Sequence, residues 1–388
     1  MLKFNCKKIT LYLLIYSICS FLRPNFELIK YETNKDLSFI RIYVTYLGQI
    51  IGGLSVYFYQ YRAFHKQSKN VYFGLELIHN KADMESKDKA FKIILLIILA
   101  SSFEFFIVII QYYLNIEGNI IISRVFTIRI QALTSIISSI LCYYSLNYKL
   151  GKHHIFSIIF LGLFIILQII SEILYRPAGI LLGQFFFQVF LMIMRNILIS
   201  FIDCIEKYLY EANYVNPFKL LVLEGVFDII FLLIFTFAKN TIDIKELKNF
   251  FAKLNSTQIC VIAFVFIGYL IISTIIRVYQ IYCNVIYSPT IKSIAGYILV
   301  PLYNIITYEV NVDFYGKIGY FAICEVISLI LDFFGCVYNE FIILYCCGLE
   351  HDTKEDISFR ARNIMNIPTN DIEFDDDDFD GNTEILLN

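Results

Sequence analysis

Charge is what this sequence has least of. Only 17% of its 388 residues are Asp, Glu, Lys or Arg, against about 25% in an ordinary soluble domain. A chain of this length has ample surface on which to place charge, so the deficit is not a matter of size. With 58% hydrophobic residues and a mean hydropathy of +0.65, most of the surface must face something apolar, and lipid is the only candidate on that scale. The shortage excludes a soluble multidomain enzyme and a disordered chain. Net charge is -2, so there is no basic field to attract nucleic acid. Tryptophan is absent, while Phe and Tyr number 37 and 29. That vocabulary, rich in Ile and Asn, reflects an AT-rich coding bias and carries no functional information.

Metal and catalytic motifs are missing as well. The ten cysteines form no CxxC pair. Nine of them, from Cys19 to Cys347, sit in or at the ends of apolar runs, where thiols act as small hydrophobes. Cys346 and Cys347 are expected to be unmodified. His153-His154 stands alone in a short loop, without the company a metal site needs, and reads as a solvated turn. No Gly-rich phosphate loop, HExxH helix or Ser/His/Asp set is present, and the predicted cytosolic loops are too short for a nucleotidase domain. The expectation is a non-enzyme with no cofactor and no metal.

What the sequence does have is a succession of long apolar runs. A bilayer core needs about 20 helical residues per crossing, and backbone groups in lipid must be satisfied within the helix. Runs fall at 39–62, 91–115, 119–147, 152–174, 179–210, 217–238, 258–287, 289–309 and 315–347. A tenth candidate, Ile9–Leu22, is short and follows Lys3, Lys7 and Lys8. With Ser17 and Cys19 near its end it also suits a cleaved signal peptide. Assigning loops alternately places eighteen Lys and Arg on the side of the amino terminus and nine on the other. That asymmetry puts both termini in the cytosol. Lys239, Lys245, Lys248 and Lys253 lie on the minority side.

Loop lengths repeat. The first span is followed by loops that are medium (23–38), long (63–90), short (116–118) and short (148–151). The sixth is followed by the same order: 211–216, 239–257, a turn near Pro289, and 310–314. Five spans per half is an odd number, so the halves must be inverted, as in alternating-access carriers. The fold expected is an all-α polytopic membrane protein of ten transmembrane helices. Residues 1–174 and 175–350 form two inverted five-helix repeats, and 351–388 form a disordered acidic cytosolic tail. The repeat needs the first span, which favours its retention over cleavage.

The run Glu206-Lys207-Tyr208-Leu209, then Tyr214-Val215-Asn216-Pro217-Phe218-Lys219-Leu220-Leu221 and Glu224-Gly225, is distinctive. It resembles the central hairpin of nucleotide-sugar-transporter-like (EamA-type) proteins of the drug/metabolite transporter superfamily. Tyr287-Ser288-Pro289-Thr290 resembles the turn opening the ninth span of that group. Tyr338-Asn339-Glu340 with Cys347-Gly348-Leu349 resembles the end of its tenth. The Lys-Tyr signature that typical nucleotide-sugar carriers show near the ninth span is not seen. The resemblance implies ten helices, cytosolic termini and a central solute cavity lined mainly by spans other than the fifth and tenth.

Ionisable groups within spans are costly and mark function by default. Arg195, Glu104 and Asp228 lie near the centres of their spans. Glu224 sits one turn before Asp228 on the same face. Arg129 and Arg277 lie off-centre, Glu325 and Asp332 share a face of the last span, and Arg124 and Glu172 are expected to snorkel. Two readings are open. In the first, Glu104 pairs with Arg129 and Arg195 with Asp228, across neighbouring hairpins. Alternatively Arg129, Arg195 and Arg277, with Gln280, bind an anionic solute through planar guanidinium forks, while Glu104, Asp228 and Glu224 serve coupling. Gln131, Gln184 and Gln188 offer further neutral hydrogen bonds. Gly48, Gly52 and Gly53 read as ordinary helix packing. Pro301 should kink the ninth span.

The function expected is secondary, ATP-independent transport of a small polar metabolite, neutral or anionic, by a multi-pass protein of the endomembrane system or plasma membrane. The alternative is a multi-span receptor or channel without carrier activity. Expected partners are the lipid bilayer and a small-molecule solute, with a homodimer left open.

Overall fold

The computed structural model describes residues 2–4, 11–28, 35–66, 87–114, 126, 129–175, 181–213, 215–239, 248–249, 251–299, 318–345, 348–349 and 353. Pro301, Arg124, Cys346, Cys347 and, apart from Thr353, the tail at 351–388 lie outside these. Ten principal helices run through the described residues: α1 (Leu11–Leu28), α2 (Lys35–Lys66), α3 (Lys87–Tyr112), α4 (Ala132–Ser145), α5 (Lys152–Tyr175), α6 (Leu182–Glu211), α7 (Pro217–Lys239), α8 (Ser256–Ile286), α9 (Pro289–Tyr297) and α10 (Ile318–Tyr338).

Local chemistry sets several of the starts. Asn216 Oδ1 accepts from Phe218 N at 3.0 Å and Lys219 N at 3.2 Å, and Pro217 occupies the first position of α7, where no amide is needed. Ser288 Oγ accepts from Ile291 N at 3.2 Å ahead of Pro289 at the head of α9. Gln258 Oε1 accepts from Asn255 N at 2.9 Å where α8 begins.

Among the described residues, five helical segments are long and apolar enough to cross a bilayer: Ala90–Tyr112, Lys152–Leu174, Leu182–Glu211, Pro217–Lys239 and Ser256–Ile286. Their outer faces expose large apolar side chains at helical spacing, such as Ile155, Ile159, Leu163, Ile166, Ile170 and Leu174 on α5. In water such a stripe would be an aggregation surface; against lipid tails it is the expected exterior. These are the features of a helical membrane protein.

The main helix contacts pair off between the first five helices and the last five. α1 packs on α8 as α6 packs on α3. α2 packs on α8 as α7 packs on α3. α4 lies on α6 as α9 lies on α1, and α4 meets α5 as α9 meets α10. The α2–α7, α4–α9 and α5–α10 contacts join corresponding helices directly. α2 is wedged between α7 and α8 by its glycines. A Cβ at Gly52 would come within 2.8 Å of Val278 Cγ2, and one at Gly53 within 2.7 Å of Val222 Cγ2 and 2.9 Å of the Phe218 carbonyl.

Three features depart from the sequence expectations. The span expected over 119–147 is not one continuous helix in its described part. Ile130 and Gln131 form a turn, with tight bonds from Leu133 N to Ile130 O and from Thr134 N to Gln131 O, and α4 starts only at Ala132. The span expected to run to 347 ends at Tyr338. Glu340 then takes a left-handed backbone (φ 58°) and leads into β2 (Ile342–Leu344). β2 pairs antiparallel with β1 (Leu2–Phe4), Leu2 opposite Leu344. This pairing holds the segment before α1 beside the segment after α10.

Candidate functional site

Charged side chains gather in three places inside the bundle. The first lies where α6 and α8 end and α9 begins. Lys292, one turn into α9, is 3% exposed. Its Nζ pairs with Asp203 Oδ1, and with Glu206 Oε2 at 3.4 Å. Those carboxylates stand three apart on one face of α6. Asn284 of α8 donates to Glu206 Oε2 at 2.8 Å and to the Asp203 carbonyl at 3.2 Å. Lys207 caps the end of α8, donating to the carbonyls of Val285 (2.9 Å) and Tyr287 (3.1 Å), and pairs with Glu211 at 2.9 Å. Tyr148, in the loop after α4, donates to Glu211 Oε1 at 2.8 Å. Burial, and then the Glu211 carboxylate, hold its phenol above the usual range. The arrangement ties three helix ends together with charges that find partners.

The second group lies deeper, between α3, α7 and α8. Arg277 Nη2 pairs with Glu104 Oε1 at 2.7 Å. Beside this pair, Asp228 and Glu224 project from one face of α7, 4% and 5% exposed. Ser101 of α3 hydrogen-bonds Asp228. Asp228 Oδ1, Glu224 Oε1 and Arg277 Nε have no hydrogen-bond partner, and neither does Gln49 Oε1 on the facing side of α2. Gln280 is half-buried on α8, three residues beyond Arg277.

The third group joins the helix break to α10. Arg129 Nη2 pairs with Glu325 Oε1 at 3.2 Å, and Nε donates to Ser328 Oγ. Arg129 Nη1 and Gln168 Oε1 border one crevice, each without a hydrogen-bond partner. Asp332 follows on the same face of α10, near Glu325 and Arg129.

The structure therefore brings Glu104, Asp228, Glu224 and Arg277 together and sets Arg129 apart from them. The hairpin pairing of Glu104 with Arg129 gives way to Glu104–Arg277 and Arg129–Glu325. Asp228 has Glu104, Arg277 and Ser101 as its strongest neighbours in place of Arg195. Arg195 is half-buried on α6, next to Asn196, whose Oδ1 accepts from Thr134 of α4 at 3.2 Å. Glu172, expected to snorkel, is 1% exposed. His153 is buried rather than solvated, with Nε2 3.3 Å from Glu340 Oε1, and the His154 ring packs on Tyr338. Lys207 and Lys292, counted as loop charges in the sequence, are interior.

The Lys292 cluster was missed as a site. Its sequence signals were Asp203 and Glu206 near the end of an apolar run, and a lysine one turn after a Ser-Pro helix start. Among the described residues, no three His, Cys, Asp or Glu side chains stand together as a metal site. No protein-family model matches the chain, and no curated protein matches it at a significant level.

Proposed function

We propose that this chain is a secondary transporter that moves a small polar metabolite across a membrane by alternating access, without ATP. Its ten helices form two inverted repeats of five. The packing correspondence carries this reading: exchanging α1–α5 with α6–α10 preserves the main contacts of the bundle. Repeats with an odd number of crossings run in opposite directions, which is the construction that alternating access uses. Interrupted helices at corresponding places are where such carriers hold solute. The turn at Ile130–Gln131 that precedes α4 is one such interruption of the fourth span, and α4 packs on α9. The hairpin residues from Glu206 to Gly225 support membership of the drug/metabolite transporter superfamily.

Arg129 and Arg277 each hold a carboxylate through one Nη2 contact, so an anionic solute would displace Glu325 or Glu104 and engage the planar guanidinium fork. Exchange of these partners offers a way to open one side and close the other. Setting aside the buried Lys207 and Lys292 leaves sixteen basic residues against nine, still favouring cytosolic termini. The β1–β2 pairing supports placing both ends on one side, and the packing of α1 against α8 and α9 supports its retention in the bundle.

The test is counterflow in proteoliposomes holding the purified full chain, with a panel of labelled organic phosphates, carboxylates, sugars and amino acids. Accumulation of one chemical class is expected. Well-folded protein that accumulates nothing from the panel would count against the carrier reading.

A further inference from the structure

We propose that Glu224 and Asp228 on α7 form a proton-binding site, and that the carrier couples solute movement to that proton. The coupling half rests on the transporter reading above; the proton site does not.

The geometry leaves these two carboxyls without an ion-pair partner. Arg277 is committed to Glu104 at 2.7 Å, and Lys292 to Asp203 and Glu206. Among the described residues no ion pair reaches Glu224 or Asp228, although both are more than nine-tenths buried. An ionised carboxylate held this way in a low-dielectric interior is strongly disfavoured, and it takes up a proton instead. The elements packed around the pair bring both signs of charge, with acids in the majority and the cations Arg277 and Lys292 opposing protonation. From α3, Glu104 adds negative charge and Ser101 a hydroxyl. From α6, Asp203 and Glu206 add negative charge, and Tyr210 brings a buried hydroxyl with no hydrogen-bond partner. From α8 comes Arg277, and from α9 Lys292. From α2 come Tyr46, facing Arg277, and Gln49, whose buried Oε1 has no donor. Atoms of Gln49, Glu224, Asp228 and Tyr210 in one region have no protein hydrogen-bond partner. A proton on a carboxyl supplies a donor where acceptors are in excess. A metal cation is less suited, since no three acidic, His or Cys groups stand together here among the described residues.

Release is chemically simple. The O–H bond of one carboxylic acid breaks, the electron pair stays on the carboxylate, and the proton passes to water as hydronium. Arg277 stands ready as the countercharge, because its Nε donates to nothing while Nη2 holds Glu104. A shift of Arg277 from Glu104 towards Asp228 would favour release, and its return would favour rebinding. The proton thereby selects which carboxylate the guanidinium holds.

The proton site is tested without any solute. Reconstituted full-length protein is followed by infrared difference spectroscopy in H2O and D2O as pH is varied. A protonated-carboxyl carbonyl band is expected at pH 7, shifting on deuteration and fading as pH rises. It should weaken in Glu224→Gln and in Asp228→Asn and vanish in the double variant. No band in the wild type, a band unchanged in both variants, or one that follows sodium at fixed pH would each overturn the site. For coupling, a panel solute that shows counterflow is given a one-unit pH gradient, which sustains about a tenfold solute gradient per coupled proton. The double variant should sustain none. A solute gradient indifferent to pH overturns the coupling. A titrating band without any counterflow defeats the carrier reading alone, and counterflow without a band defeats the proton site alone.

Discussion

The Lys292 cluster and the Glu224–Asp228 pair lie in the same bundle and are built on opposite principles. Around Lys292, the ammonium and both carboxylates find partners, and Asn284 adds two hydrogen bonds while its own buried Oδ1 accepts none. Around Glu224 and Asp228, acidic groups outnumber free countercharge and several polar atoms have no partner. A buried network whose charges are paired holds one arrangement, whereas unpaired buried carboxyls leave room for a second. The first cluster thus reads as a lock joining α6, α8 and α9, and the second as the part that changes state.

That contrast is broken most directly by removing the lock's cation. Lys292→Met strands Asp203 and Glu206 as buried anions and should cost about 3–5 kcal/mol, seen as a large drop in detergent melting temperature and in folded yield. Adding Asp203→Asn and Glu206→Gln to the same chain should recover most of the loss. If Lys292→Met alone melts like the wild type, the cluster is not a lock.

A middle-sized effect is expected from the helix contact beneath the acidic pair. In Gly53→Ala the new methyl meets Val222 and the Phe218 carbonyl of α7, an overpacking cost of about 1–3 kcal/mol. The change displaces the helix carrying Glu224 and Asp228 while leaving Lys292 untouched. Transport should therefore fall by more than the melting temperature alone accounts for, when both are measured on one preparation.

The smallest effect is the most telling. Glu224→Gln and Asp228→Asn replace neutral acids with neutral amides of nearly the same shape, so each should alter stability by less than about 1 kcal/mol. Melting curves of these variants, set beside that of Lys292→Met, measure the difference between switch and lock. A collapse on the scale of Lys292→Met would make the pair structural.

The five helices of membrane-crossing length were legible in the sequence because an apolar run of bilayer length is a one-dimensional signal that needs no knowledge of neighbours. The shared face of Glu224 and Asp228 was legible for the same reason, since four residues is one helical turn. The starts of α7 and α9 were written in Asn216-Pro217 and Ser288-Pro289. Charge pairing was not legible. Arg129 meets Glu325 across 196 residues, Arg277 meets Glu104 across 173, and Lys292 meets Asp203 across 89. Hairpin neighbours suggested by chain proximity were the wrong partners. Lys207 and Lys292 look like loop charges in one dimension, and only the convergence of three helix ends takes them inside. The β1–β2 pairing likewise depends on segments distant in the chain. The sequence by itself determined which segments are helical and apolar, because that depends on local periodicity and transfer free energy. Tertiary structure alone decided which charge neutralises which, because a buried ion pair forms only where packing brings two side chains within a few ångströms.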